Sequence, residues 1–412
     1  MKIAVIGSGI SGLSAAYYLS KKYHVDLYEK EDHFGGHSHT VEIKNDKKSL
    51  AVDVGFIVFN ELTYPNLIKF FHEIDAEYEK SNMSFAVSVM DTEVEYSGSG
   101  LKGLFSNKKN IFNLSFIKMI LEIINFYKKV PFEINPETEK MTLGEYLSKK
   151  KLSNYFVNYH IIPMVASIWS MPYGEAKNIP FKLFVEFFSN HGLFKLKNRP
   201  QWFTVKNRSK TYVNKVLKNI SGEVYKNYEV KKIVRKNNNI RVLVGPEEEY
   251  LEYDHVVLAC HADQALKLLE KSPFESEILK NFKYIKNNAY LHSDQNLMPK
   301  RLNAWSSWNA ISNKDASKTC VTYWLNKLQN LNVDTNYFLT LNPIKEIDTQ
   351  KIIKEIKFTH PNFDLKAFKL QKKLKELQGK QNTWFCGSYF GYGFHEDGLK
   401  SSLELIKRFN IK

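Results

Sequence analysis

The stretch Lys2-Ile3-Ala4-Val5-Ile6-Gly7-Ser8-Gly9-Ile10-Ser11-Gly12 decides how the rest of the chain is read. Lys2 to Ile6 is a short apolar run with β character, and Gly7, Gly9 and Gly12 follow it in the spacing G-x-G-x-x-G. Leu13-Ser14-Ala15-Ala16-Tyr17-Tyr18-Leu19 then recurs at helical spacing. His24 to Tyr28 reads as a second strand, closed by Glu29. The three glycines have separate roles: the first allows a tight turn, the second lets a pyrophosphate approach the backbone, and the third lets the helix pack on the strand. The helix start offers unpaired N–H groups and a positive dipole end to a diphosphate. Glu29 stands where an acid accepts hydrogen bonds from a ribose 2′-OH and repels a 2′-phosphate. Strand, glycine turn, helix, strand and acid fall in the order of a dinucleotide-binding unit. A glycine turn in an ordinary α/β unit is the alternative.

Past Glu29 run Lys30-Glu31-Asp32-His33-Phe34-Gly35-Gly36-His37. An acid at a strand end followed shortly by Gly-Gly resembles the extended FAD signature of the flavin amine oxidase and phytoene desaturase superfamily. Arg usually follows the pair there; here it is His37. Ser38-His39-Thr40 and Val52-Asp53-Val54-Gly55-Phe56-Ile57-Val58-Phe59-Asn60 resemble a bacterial branch of NAD/FAD-binding, amine-oxidase-like proteins. Members of that branch tend to accompany enzymes that methylate or cyclopropanate fatty acyl chains.

The resemblance implies an α/β fold, with a Rossmann-like FAD-binding domain of the glutathione-reductase type and an inserted substrate domain of antiparallel sheet plus helices. The FAD domain is expected to be discontinuous, at 1–75, 205–285 and 376–412, with the substrate domain at 76–204 and 286–375. The expected cofactor contacts are Gly7, Gly9, Ser11, Gly12, Glu29, Lys30, Gly35, Gly36 and His37 at the first end. Val230 is expected at the adenine through its backbone. Gly387, Glu396, Gly398 and Leu399 are expected at the flavin, on a turn leading to a last helix at Lys400 to Phe409. The Asp53-x-Gly55 segment runs beside the ring in this superfamily. Relatives usually show Gly-Gly-Ser where this chain has Asn207-Arg208-Ser209, so a side chain is expected in a place normally open to backbone contact.

Composition narrows the rest. The chain has 412 residues, 43% of them hydrophobic and 25% charged, enough for two domains with a sizeable core. The net charge of +15 is almost all lysine, since Arg occurs only at Arg199, Arg208, Arg235, Arg241, Arg301 and Arg408. Without a nucleic-acid module, and with the usual base-reading residue scarce, nucleic acid is not an expected partner. An AT-rich coding bias and attraction to an anionic lipid surface both account for the lysines. Cys260, Cys320 and Cys386 are odd in number and far apart, so neither a disulfide framework nor a zinc site is indicated. The first strand begins at residue 2 and no run approaches a membrane span. A cytoplasmic place is expected, with peripheral contact at the inner face of the membrane left open.

In the expected substrate half, Ile111 to Phe132 is apolar with interspersed lysines and suits either a core helix or one resting on lipid. Thr142 and Glu145 have capping-box spacing. Trp169 and Met171 suit packing or contact with an apolar substrate. Phe181 to Phe194, followed by Lys195, Lys197 and Arg199, reads as a greasy, basic mouth. A polar turn is expected at Asn237 to Asn239. His292 with Asp294 is poor evidence for a metal. His261 reads as a helix-start histidine or a catalytic one.

Flavin supplies redox chemistry, and the protein supplies position, electrostatics and dryness. By analogy His395, Tyr392 and Tyr389 lie nearest the ring and are the catalytic candidates, with structural roles as the alternative. The leading expectation is an FAD-dependent oxidoreductase that desaturates or oxidises a lipid-like substrate, a methylated or cyclopropanated acyl chain among them. The rivals are an amine oxidase using oxygen, a carotenoid-precursor desaturase, and a non-catalytic flavoprotein that senses or scaffolds.

Overall fold

The computed structural model describes residues 1–45, 48–236, 239–269 and 273–409. The chain divides into two units. One gathers Met1–Glu79, Val205–Lys283 and Lys369–Lys412, and the other Lys80–Thr204 and Tyr284–Phe368.

The first unit is built on a five-stranded parallel sheet. Its spatial order is Val224–Tyr225, His24–Tyr28, Lys2–Ile6, His255–Leu258, Thr383–Phe385. In chain order that is 3-2-1-4-5, the Rossmann arrangement, whose order reverses between the first and fourth strands. Ile3, Ala4, Val5, Val256 and Val257 are fully buried, as a sheet covered on both faces requires. The helix Ile10–Ser20 covers it with Leu13, Ala15, Ala16 and Leu19, all at 0% exposure. Its closeness depends on Gly12, where a Cβ would come within 1.8 Å of the Gly7 carbonyl oxygen.

The last helix, His395–Arg408, lies against this first helix, and Ser14 Oγ meets Ser402 Oγ at 2.6 Å. It begins five residues before the start expected from the sequence. Asp397 accepts the N–H of Phe394 at 2.9 Å and closes the first turn around His395. A three-stranded antiparallel sheet, Val230–Lys236, Asn239–Val244 and Glu249–Tyr253, is inserted before the fourth parallel strand. Of the expected turn at Asn237 to Asn239, the first two residues lie outside the described ones, and Asn239 opens a strand.

The second unit carries a seven-stranded sheet among the described residues. Its order is Ile352–Asn362, Lys283–His292, Phe338–Leu341, Thr319–Trp324, Trp308–Ser312, Phe85–Val89, Glu95–Ser97. It is mixed rather than purely antiparallel, because Trp308–Ser312 runs parallel to Phe85–Val89. Helices complete the unit, and the expected capping box is present: Thr142 N–H donates to Glu145 Oε2 at 2.7 Å and Glu145 N–H to Thr142 Oγ1 at 3.2 Å.

The greasy mouth expected around Phe181 to Phe194 is corrected by the structure. Phe181, Leu183, Phe184, Phe187, Phe188 and Phe194 are buried, with Phe184 packed on Phe126 and Phe181 stacked on Tyr146. The helix Phe181–Asn190 spends its aromatic bulk on the core, because area removed from water stabilises most there. Trp169 and Met171 are likewise core residues, at 4% and 5% exposure. His292 is fully buried, with Nε2 2.8 Å from Thr340 Oγ1 and Nδ1 accepting the Asp294 N–H at 3.1 Å. It is a structural residue of the sheet. Among the described residues no cluster of His, Cys, Asp or Glu suits a metal ion.

Candidate functional site

The site is built at the carboxyl ends of the parallel strands in the first unit, where the strand order reverses. Ile6 ends its strand, and Gly7 turns the chain with its N–H on the Tyr28 carbonyl at 2.9 Å. Gly9 is extended and caps the helix Ile10–Ser20. A Cβ on Gly9 would meet no protein atom within 4 Å. The space over this helix start is therefore open, and the Gly-Gly pair forms its far wall: a Cβ on Gly36 would lie 3.1 Å from the Gly9 Cα. Gly35 N–H donates to the Ser8 carbonyl and to Ser8 Oγ, both at 3.1 Å, so the two glycine-rich turns are tied together.

Glu29 holds this corner. Its carboxylate accepts Ser8 N–H at 3.0 Å, Ser8 Oγ–H at 2.5 Å and Glu31 N–H at 3.0 Å, while only 7% of the residue is exposed. The acid thus organises the glycine turn from behind. Lys30 is exposed and pairs with Glu31 at 3.3 Å. Tyr28, Tyr225 and Tyr228 stack beside Glu29, with centroids 4.8 and 5.0 Å apart along the stack. Tyr253 joins them from below, its hydroxyl donating to Asp26 at 2.8 Å. The sequence held no signal for this stack, because its members come from three separate segments. Val230 is buried at the start of its strand, paired with Val244.

The closing helix brings a second N-terminus to the same place. A Cβ on Gly398 would fall 2.7 Å from Ser11 Oγ and 2.9 Å from Ile10 Cγ2, so the first turns of the two helices touch. Ser11 and Leu399 are both buried at this contact. Gly387 N–H is bound to Ser401 Oγ at 2.9 Å. The Glu396 carboxylate is committed elsewhere: it accepts Asn66 N–H at 3.1 Å and Leu67 N–H at 3.0 Å, capping the helix Pro65–Glu73. Only the main chain of Glu396 is left to face a ligand.

Histidines gather at this end of the sheet. His33 and His39 stack with centroids 3.9 Å apart. Burial, then the nearby His261, His39 and His33, push His37 down to about 4. Burial and His37 push His395 down to about 3. His395 stacks on Phe56 at 3.7 Å, and its Nε2 is 2.9 Å from Ser38 Oγ, which also meets the Tyr212 hydroxyl. His395 is thus a neutral imidazole at the head of a buried hydroxyl chain. Tyr389, at 1% exposure, packs against Phe282 and Phe390 and is a core residue. Tyr392 is partly exposed on the turn before the closing helix. His261 caps the helix Ala262–Leu268.

Asp53 is buried behind the site and pushed up to about 6 by desolvation, although Thr40 Oγ1, Ser209 N–H and Ser209 Oγ all donate to it at 2.6 to 3.1 Å. Asn207 and Arg208 keep the left-handed backbone that Gly-Gly would adopt, with φ of +58° and +78°. The Arg208 side chain turns away and donates from Nε to the Ala51 carbonyl at 2.8 Å. Its charge lies close enough to Asp53 to lower that carboxyl's pKa against the desolvation. The expected loss of open space is thus a substitution that keeps the backbone path.

The comparisons with known proteins agree with this architecture. The family model described as an NAD(P)-binding Rossmann-like domain matches residues 5–74. A stretch of 79 residues is 39% identical to a 1-hydroxycarotenoid 3,4-desaturase of Flavobacterium sp. (strain P99-3); it spans 19% of this chain and only 15% of the desaturase. Solved structures match along the whole chain. The CLA-producing fatty acid isomerase of P. acnes does so at 15% identity with a TM-score of 0.68, covering 99% of this chain and 98% of the isomerase. A putrescine oxidase bound to putrescine does so at 14% identity with a TM-score of 0.69, covering 100% of both chains. At such identities the likeness is one of fold: a Rossmann nucleotide-binding unit with an inserted mixed-sheet and helical unit.

Proposed function

We propose that this chain is an FAD-dependent oxidoreductase that takes a hydride from a small organic substrate, with an amine as the first substrate class. The observation that carries this reading is the meeting of two helix N-termini, at Ile10 and His395, over the open glycine corner backed by Glu29. Two positive helix ends on one spot favour a ligand with negative charge along its length. Glu29 disfavours a 2′-phosphate, which argues against NADP. The closing helix adds a second helix start to this corner, beside Ser11, which suits a diphosphate-bridged ligand.

The residues present fit FAD. Gly7, Gly9 and Gly36 leave the main chain bare where the diphosphate would lie, and the partly exposed start of the closing helix, at His395 and the main chain of Glu396, would face the flavin end. Bound flavin supplies the two-electron acceptor. Around it the chain supplies an apolar wall at Phe56 and a neutral histidine, His395, held in place by the Ser38 hydroxyl, which also meets Tyr212. Amines lead because loss of a hydride from the carbon beside nitrogen is assisted by the nitrogen lone pair, so no buried base is needed to complete it. Putrescine oxidase shares the fold over the whole chain. A second reading, desaturation of an acyl or carotenoid-like chain, draws on the desaturase match, which is confined to 79 residues.

The test is anaerobic bleaching of the flavin-loaded protein by a panel of mono- and polyamines, fatty acids and phospholipid acyl chains, and carotenoid precursors. Reduction by an amine, with imine or aldehyde found by mass spectrometry, supports the proposal. Reduction by an acyl or polyene substrate alone replaces the substrate class. Bound flavin that nothing reduces replaces the enzyme with a sensing or scaffolding flavoprotein, and failure to bind FAD ends the reading.

A further inference from the structure

The helix Leu114–Lys129 of the second unit has one face in the core and a stripe of unusual composition on the other. Phe116, Met119, Phe126 and Tyr127 are buried. Leu114, Lys118, Leu121, Asn125 and Lys128 recur at steps of four and three and form the exposed stripe. Leu114 is 85% exposed and Leu121 62%. A helix facing water alone would carry polar residues there. The stripe has an aromatic residue at each end: Phe112 is 87% exposed just before the helix and Phe132 is 86% exposed just after it. Side chains standing so far into solvent protrude and do not line a groove.

The charge around the stripe has one sign. From Ser97 to Phe132 there are six lysines and a single acid, Glu122. That acid is occupied, accepting the Ser153 N–H at 3.1 Å and its hydroxyl. Lys109 pairs with Glu93 at 3.0 Å, whereas Lys118 and Lys128 on the stripe hold no ion pair among the described residues.

We propose that this stripe is a docking surface for an anionic phospholipid bilayer, with the helix lying in the plane of the interface and Phe112 and Phe132 inserted at its two ends. A leaflet accepts protruding Phe and Leu without shape complementarity, whereas a protein partner needs a matching surface. Lysine stems cover apolar surface while their ammonium groups reach the phosphates. The helix is about 24 Å long, so both ends can touch one flat surface at once. Among the described residues no helix is long and apolar enough to cross a membrane, so the contact is peripheral. The inference goes beyond the oxidoreductase reading and holds whichever substrate is found.

The experiment is flotation of the full chain with vesicles of phosphatidylcholine alone and of phosphatidylcholine mixed with phosphatidylglycerol, at low and high salt. The unaltered chain is expected to float with the mixed vesicles, and to be released in part by salt. The triple variant Phe112→Ser, Leu114→Ser, Phe132→Ser and the double variant Lys118→Glu, Lys128→Glu are each expected to lower the vesicle-bound fraction about tenfold or more, with melting temperature and flavin content unchanged. No flotation of the unaltered chain at low salt would overturn the proposal, as would binding that neither variant reduces. So would light scattering showing a stable oligomer that the triple variant dissociates, since a second copy would then own the stripe.

Discussion

His395 Nε2 and Ser38 Oγ lie 2.9 Å apart, although the two residues come from opposite ends of the chain. The hydroxyl sits between the imidazole and the Tyr212 hydroxyl, so the three side chains form one hydrogen-bonded line into the core. Ser38→Ala releases the imidazole from its place on Phe56 and is expected to slow flavin reduction by substrate roughly 10-fold while leaving substrate affinity unchanged. Stopped-flow reduction under anaerobic conditions separates the two quantities. A loss of affinity with an unchanged reduction rate would mean that His395 serves binding and not the reacting geometry.

Gly9 and Gly12 separate the needs of the fold from those of the ligand. A methyl group on Gly12 would strike the Gly7 carbonyl at 1.8 Å, whereas one on Gly9 meets no protein atom within 4 Å. Gly12→Ala is expected to destabilise the protein by about 1–3 kcal/mol, as overpacking does. Gly9→Ala is expected to leave unfolding unchanged and to lose FAD, because the new methyl occupies the ligand's space. Urea unfolding of the ligand-free forms, alongside flavin absorbance after dialysis against FAD, checks both statements.

Asn207 and Arg208 hold left-handed backbone without glycine. Asn tolerates that region and Arg does not. Asn207→Gly should therefore be neutral within about 0.5 kcal/mol, relief of strain being offset by the freer unfolded chain. Arg208→Gly gives up the bond to Ala51 and the cation near buried Asp53 as well. It is expected to destabilise by about 1–2 kcal/mol, which equilibrium unfolding would show.

Stability will fall with acid. His37, His191 and His292 are held down at about 4, and His160 and His395 at about 3, chiefly by burial. Each takes up a proton more readily when unfolded, from the ordinary 6.5 downwards, so stability is present above pH 6.5 and is lost as pH drops toward 4. Asp53 and Asp397, pushed up by burial to about 6 and about 7, act in the opposite sense: they favour the fold as pH falls below those values, down to about 4. Five histidines outweigh two carboxyls. At pH 5 each histidine accounts for about 1–2 kcal/mol, so the melting temperature should drop steeply between pH 6.5 and 4.5. His160→Gln, which removes the imidazole bonded to the Tyr96 and Tyr127 hydroxyls at 2.9 and 2.8 Å, should flatten that acid limb.

Glu396 tests a different kind of assignment. The resemblance puts it at the flavin, while its carboxylate caps the helix Pro65–Glu73. Glu396→Ala is expected to destabilise by about 1–2 kcal/mol and to leave flavin affinity within twofold, measured by unfolding and by flavin titration.

The nucleotide corner was legible because its information is local. Gly7, Gly9, Gly12 and Glu29 lie within one strand-turn-helix-strand run, where spacing alone fixes geometry. The closing helix was legible as a helix but not in its start, since that depends on Asp397 folding back onto Phe394. The aromatic run at Phe181 to Phe194 misled because composition does not say which face meets the core. Phe112 and Phe132, equally apolar, stand in solvent, and only packing tells the two groups apart. The tyrosine stack and the Tyr212–Ser38–His395 line were invisible, because each joins segments more than a hundred residues apart and no periodicity links them.

The order of the parallel strands has a consequence for synthesis on the ribosome. The edge strand Thr383–Phe385 pairs with His255–Leu258 and is followed directly by the helix that completes the glycine corner. A nascent chain can fold its opening strand-turn-helix early, but the corner stays one-sided until the strand Thr383–Phe385 and the helix His395–Arg408 have also left the exit tunnel. A ligand that needs both walls can therefore be held only after that helix has emerged, and a product truncated before Thr383 keeps a half-built corner.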